Sequence, residues 1–414
     1  MNSREISLCL AGDALITRPW SHMRDIAYLG LIDKIRGADV AIANLETVIH
    51  EFKGHAQADS GGVYMASPPI VAAELKWAGF DLLAHANNHA FDYGSAGILE
   101  TLEHAESAGL IVAGSGRDLQ QARAPRYCQG GGGTVALVAM ASDYVRYGMA
   151  SPSRQDLPGR PGINPLTITR SKTMTMRPLR AADRLRNYVL GLLGMPSASP
   201  NPLDLEFIVT WGRRADPSDG NANLKAISEA ASTADIVIAS IHAHRQGPWL
   251  ASFARQAIDQ GAHSVLVHGP HQIRGIELYR RRPIFYSLGN FVFEGEYVTR
   301  LPAEAYQRIG LAADAPLEAL RAANDKHMSG QLRDRNAFES VVAMMTVANG
   351  ALSSLRLIPI DLNFDARDER RGRPQLASHE LGKRIVRLAK MRSRRFGTQI
   401  RYDPAENLGE VVLA

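Results

Sequence analysis

The chain is poor in cysteine, with only Cys9 and Cys128 in 414 residues, each in or beside an apolar run. One pair cannot build a disulfide scaffold or a thiolate zinc site, so both are expected as buried thiols. Long hydrophobic runs are also missing. No stretch reaches the roughly 18 apolar residues that a membrane-spanning helix needs. The N-terminus enters the strand-like Ile6 to Ala11 almost at once, leaving no room for a charged n-region, an apolar h-region and a cleavage site. These absences give the expectation of a cytoplasmic protein with no membrane segment in the chain. Basic residues interleaved with aromatics, the signature of a nucleic-acid surface, are lacking too, so nucleic acid is not an expected partner. No internal repeat is visible.

What is present begins with a mild basic excess, a formal net charge of +5 and a pI near 9.2. Much of it lies between Arg367 and Arg401, interleaved with Leu381, Ile385, Leu388 and Met391 at helical spacing, which reads as the solvated face of a helix. The remainder alternates strand and helix patterns. Residues 1–365 read as one domain, and residues 141–203, rich in turn formers and short of periodicity, as a substrate-side insertion. A helix is expected over Ala181 to Leu193 and a connector over Pro196 to Pro202. Residues 366–414 then supply the basic helix and a last strand packed on that domain. Further helix is expected from Leu301 to Leu332. Gly130 to Gly133 joins two strands and reads as a hairpin turn rather than a phosphate cradle, and Asn349-Gly350 as the turn of a second hairpin.

The chemistry gathers at strand ends. Phe80 to Leu83 reads as a buried parallel strand, followed by His85-Ala86-Asn87-Asn88-His89 and Asp92-Tyr93-Gly94 before the next helix. Polar residues there stand at the carboxyl edge of a sheet, where α/β proteins bind ligands. Four other strands end alike: in Asp13, in Asn44 and Glu46, in His242 and His244, and in His268 and His271. One such residue would be an ordinary satisfied polar group, whereas five on one edge suggest a site. Carboxylate, amide oxygen and imidazole together suit Zn, Mn or Fe rather than Ca or Mg. Two ions close together are a common device for activating water against a phosphoryl or acyl centre.

Gly12-Asp13, Asn44-Leu45-Glu46, Asn87-Asn88-His89, Ser240-Ile241-His242, His268-Gly269-Pro270-His271 and Ser287-Leu288-Gly289-Asn290 together, in this order, resemble the poly-γ-glutamate capsule-biosynthesis (CapA-type) family. That family is similar to the calcineurin-like metallophosphoesterases. The resemblance implies an α/β fold, a four-layer αββα sandwich of two mixed β-sheets flanked by helices, with a dinuclear site at the sheet edges. It implies Asp13, Asn44, Glu46, Asn88, His242, His268 and His271 as metal ligands, with Glu46 in the bridging place. His89 is then the proton carrier, Asp92 its orienting partner, and His271 a second catalytic candidate. Arg160, Asn164, His244, Arg245 and Asn290 are expected to meet substrate.

Three functions are compatible with this pattern. The first is a hydrolase using two divalent ions, Mn, Zn or Fe, on an amide or phosphoester in an acidic polymer or peptide. The second is a metal-free acid/base epimerase of peptides using Asp13, His89 and His271. The third is a non-catalytic scaffold in polymer biosynthesis.

Overall fold

The fold is described from a computed structural model covering residues 5–413, apart from 61–62, 179–184, 186–188, 191–192, 194–204, 299 and 328–331. The helix expected over Ala181 to Leu193 and the connector Pro196 to Pro202 fall largely outside the described residues.

Strands and helices combine into a mixed α/β fold, with no closed barrel among the described residues. In the larger sheet the strand order is Ile400–Asp403, Leu408–Val411, Ala351–Asp361, Glu339–Ala348, Glu5–Leu15, Val40–Leu45, Leu82–Ala84 and Ile111–Ala113. Asn290–Phe293 also pairs with Glu5–Leu15, in parallel. The second sheet runs Ile276–Tyr279, Arg282–Phe285, Ser264–His268, Ile236–His242, Gly133–Ala141 and Arg126–Gly130. Glu5–Leu15, Val40–Leu45 and Leu82–Ala84 in the larger sheet, and Gly133–Ala141, Ile236–His242 and Ser264–His268 in the second, run parallel and are largely buried on both faces, which is why they read as continuous apolar runs.

Alternation along the strands divides the core. Leu8, Leu10, Val40, Ile42 and Leu82 of the larger sheet share one apolar cluster with Val135, Leu137, Ile236, Ile238 and Leu266 of the second. Cys9, Ala41 and Leu83 point the other way, toward Leu31, Ile32, Leu75 and their helices. On the far side, Val138, Val237 and Val265 meet Ile227, Leu250 and Phe253 from the helices Pro217–Ala231 and Pro248–Asp259.

Register brings the polar strand ends together. Asp13 lies opposite both Asn44 and Asn290, and His242 opposite both His268 and Ala141. Between Leu10 and Asp13 the first strand bulges relative to Val40–Leu45, a device that re-aims a side chain. The bulge holds Gly12, where a Cβ would stand 1.8 Å from the Gly289 carbonyl oxygen, so the approach of the two loops requires glycine.

Both expected hairpins form: Arg126–Gly130 pairs with Gly133–Ala141, and Glu339–Ala348 with Ala351–Asp361. Asn349 and Gly350 have φ of 51° and 75°, as a two-residue turn of the primed type requires. Two expectations change. Leu301 to Leu332 is broken, with helices at Ala303–Arg308 and Leu317–His327, because Gly310 adopts a left-handed φ and Pro316 cannot continue a helix. Cys9 is buried, but Cys128 is only half-buried, since its strand lies at the edge of the second sheet. Among the described residues no helix is long and apolar enough to cross a membrane.

Candidate metal centre

Asp13 is fully buried, and its carboxylate is held from several sides. Oδ1 accepts from Asn44 Nδ2 at 2.9 Å and lies 2.9 Å from His268 Nδ1. Oδ2 accepts from the Gly269 backbone nitrogen at 3.2 Å and lies 3.3 Å from His271 Nδ1. Burial alone would raise the Asp13 pKa, but hydrogen bonds and charge from His268 and His271 outweigh it and hold the carboxyl well below its ordinary value.

Glu46, equally buried, stands beside it through a shared donor, since Asn44 Nδ2 also reaches Glu46 Oε2 at 3.2 Å. Its other oxygen, Oε1, has no hydrogen-bond partner among the described residues. Around that oxygen lie His271 Nε2 at 3.6 Å and His242 Nε2 at 3.8 Å. Burial, the largest cause, pushes the Glu46 carboxyl up to about 8. His271 moves up to about 9: burial works against this, but the facing Glu46 and Asp13 carboxylates prevail.

Two ligand groups result. Asp13, Glu46 and His271 place one donor atom each within 4.8 Å of one another, and so do Glu46, His242 and His244. Glu46 belongs to both. Besides Glu46 Oε1, both ring nitrogens of His242 and His268 Nε2 are buried without hydrogen-bond partners. Buried polar atoms without partners are costly, and a mixed oxygen and imidazole set of this kind fits a borderline divalent cation. Burial and the neighbouring His244 keep His242 well below its usual pKa, and burial first and His271 next bring His244 down to about 4. Neutral imidazoles are the form that binds metal.

Local structure aims these side chains. Gly269 has φ of 102°, and the next histidine, His271, sits at φ 55°, an uncommon backbone state for a non-glycine residue. The tight turn presents His268 and His271 to the same carboxylate. Asn290 Oδ1 lies 2.8 Å from His271 Nδ1, while its nitrogen donates to the Ala337 carbonyl, so the amide fixes the ring and leaves Nε2 facing Glu46.

In the loop after Leu82–Ala84, His89 Nδ1 lies 2.8 Å from Asp92 Oδ2, which also accepts from the Met65 backbone nitrogen. Burial lowers the His89 pKa, yet the charge and hydrogen bond of Asp92 together leave it raised. Asn87 braces the turn by donating to the Leu45 carbonyl and to Asn44 Oδ1. Asn88 is buried beside it.

The expected residues therefore divide. Asp13, Glu46, His242, His268 and His271 converge, and Asn44 joins them with its amide nitrogen toward the two carboxylates. Asn290 reaches the cluster through His271. His244, expected at substrate, falls within a ligand group. Arg245 points its backbone nitrogen to Asp143 and lines a neighbouring cavity. Arg160 is exposed and donates to the Met149 carbonyl, and the buried Asn164 amide is spent on Ala139, Asn223 and Arg123, none of them in the cluster. Sequence reasoning overlooked Asp143, whose Oδ2 accepts from the His244 backbone nitrogen at 2.8 Å. For His244 a signal existed: two places after His242, it shares that residue's face if the extended chain continues.

Residues 7–295 match the family described as "Bacterial capsule synthesis protein PGA_cap". The protein y4sH of Sinorhizobium fredii is 31% identical, over 95% of this chain and 90% of its own. Capsule biosynthesis protein CapA of Bacillus anthracis is 22% identical over 70% of this chain and 61% of its own. The probable polyglutamine synthesis accessory protein Rv0574c of Mycobacterium tuberculosis is 26% identical over 91% of this chain and 78% of its own.

Proposed function

This chain belongs to the bacterial capsule synthesis protein family PGA_cap, and from that premise we propose that it is a metal-dependent hydrolase cleaving an amide or phosphoester in an acidic polymer or peptide. We read its two packed sheets as the four-layer αββα sandwich of metallophosphoesterase-like proteins, a reading supported by the apolar cluster shared between the sheets. The observation that carries the proposal is Glu46, one carboxylate common to two ligand groups, with an oxygen that no hydrogen bond satisfies.

Asp13, Glu46 and His271 would hold one ion, and Glu46, His242 and His244 a second, with His268 and Asn88 alongside. Ions bound there supply Lewis acidity toward the oxygen of a phosphoryl or acyl centre. The rest belongs to the chain. Asn44 holds the two carboxylates side by side, and Asn290 fixes the His271 ring. Asp92 engages His89 Nδ1 and favours the charged imidazole, so that Nε2 carries the proton a departing amine or alkoxide needs. Purified protein assayed on γ-glutamyl peptides and phosphoesters, before and after chelation, tests the reading; turnover that survives chelation overturns it.

A second reading rests on the same amide. Asn44 Nδ2 already bridges Asp13 and Glu46, and with His271 beside both and His89 in electrostatic reach of Glu46 these groups would serve as an acid/base set without an ion. That arrangement suits a peptide epimerase, and exchange of a substrate Cα proton for solvent deuterium under chelation is its distinguishing result.

A further inference from the structure

Beside the metal cluster lies a cavity of about 500 Å³ whose charge is unbalanced. Three arginines line it: Arg146, Arg213 and Arg245. All three are exposed, and among the described residues none forms an ion pair. Asp143, the carboxylate in the wall, is engaged locally, accepting from the His244 and Arg245 backbone nitrogens at 2.8 and 3.4 Å and from Ser142 Oγ at 3.3 Å. Tyr144 and Thr167, which share a 2.9 Å hydrogen bond, and the buried Trp249 complete the polar and aromatic sides.

Position links this cavity to the cluster. Ser142 follows the strand Gly133–Ala141 and donates its backbone nitrogen to the His242 carbonyl at 2.9 Å, and Asp143 fixes His244. Ser142 and Asp143, which brace the segment carrying these imidazoles, are therefore also part of the cavity wall. A second cavity, about 410 Å³, abuts the first and shares Arg213 and Trp249 with it, adding Arg214. The two adjoin at Arg213 and Trp249 and make a path beside the start of the helix Pro248–Asp259.

We infer that this path is a substrate subsite in which Arg146, Arg213 and Arg245 bind the oxyanions of a chain whose neighbouring bond lies at the metal cluster. The inference rests on the cluster being the reaction centre. Guanidinium forks match carboxylate and phosphate geometry, and three around an open cavity, without ion pairs among the described residues, suit successive anionic groups better than one. Carboxylate and phosphate share that chemistry, and the choice of probe separates them.

The test measures binding of a fluorescein-labelled, γ-linked pentaglutamate to the full chain by anisotropy at low salt, alongside metal content. Arg146→Gln, Arg213→Gln and Arg245→Gln are each expected to weaken binding about tenfold, with wild-type metal content, and the same oligomer bearing carboxamides should not bind. Arginine-dependent binding of fluorescein-labelled tripolyphosphate, without binding of pentaglutamate, assigns the oxyanion as phosphate and sustains the subsite. Equal binding by wild type and all three variants, or undiminished binding of the carboxamide oligomer, overturns it, as does failure of both anions to bind. Arginine-dependent binding by a protein that takes up no metal leaves the subsite standing and removes the metal reading instead.

Discussion

His89 Nδ1 and Asp92 Oδ2 lie 2.8 Å apart, both side chains buried, three residues apart in the loop that follows Leu82–Ala84. The pair makes His89 a proton carrier whose charged form its neighbour favours. His89→Ala is expected to lower turnover about 10²- to 10⁴-fold while the metal content stays that of wild type. Asp92→Asn keeps the shape and removes the charge, so the acidic side of the pH–rate profile should be unchanged and the basic limit should move to lower pH. An unmoved basic limit in Asp92→Asn would show that another group gives the proton.

Gly269 stands in a left-handed conformation with its missing Cβ 3.1 Å from His242 Nε2. Gly269→Ala should cost about 1–2 kcal/mol for the backbone and press on a candidate ligand atom. Metal retention should fall more than the melting temperature does. Wild-type metal affinity in this variant would place the ion elsewhere.

Away from the centre, Glu294 is buried and accepts from the backbone of Thr17 and from the guanidiniums of Arg18 and Arg373. This joins the end of the first strand to the segment that follows the long hairpin. Glu294→Ala takes from Arg373, itself 2% exposed, its buried carboxylate and leaves it the exposed Glu369 at 3.7 Å, a change that should cost about 3–5 kcal/mol. Denaturant titration of the variant reads that loss directly, and a loss below about 1 kcal/mol would mean that the pair behaves as a surface contact.

His85 supplies a pH dependence. Its Nδ1 lies 2.9 Å from Ser115 Oγ and its Nε2 3.3 Å from the Thr47 carbonyl, and burial brings its pKa down from 6.5 to about 4. The unfolded chain takes up a proton at this residue before the folded one does. Stability is therefore fully present above pH 6.5 and declines as pH falls toward 4, by an amount on the order of 3 kcal/mol. Denaturation series at several pH values should show a shallower acid slope in His85→Gln; an identical slope would assign the acid sensitivity to other groups.

Much of the centre was legible because its parts are local. Asp13, Glu46, His242, His268 and His271 each lie within three residues of the carboxyl end of an apolar strand, and parallel strands deliver those ends to one edge. Chain-distant contacts were not legible. Nothing near Asn290 in sequence announces that its amide orients His271, and nothing beside Asp143 announces that it fixes His244. Arg160 and Asn164 were drawn toward substrate by their turn-rich surroundings, yet their hydrogen bonds serve the fold around Met149 and Ala139. Arg245 was expected at substrate, but the wall it forms with Arg146 and Arg213 was hidden for the same reason: the three come from separate segments.

The central claim is that Glu46 is shared by two metal positions. Elemental analysis of wild type, His244→Ala, His271→Ala and Glu46→Gln, each purified in the presence of Mn, Zn or Fe and then desalted, tests it most directly. The account predicts about two ions per chain in wild type, one remaining in each histidine variant, and none in Glu46→Gln. Wild type without bound metal, or Glu46→Gln with as much as wild type, would contradict it.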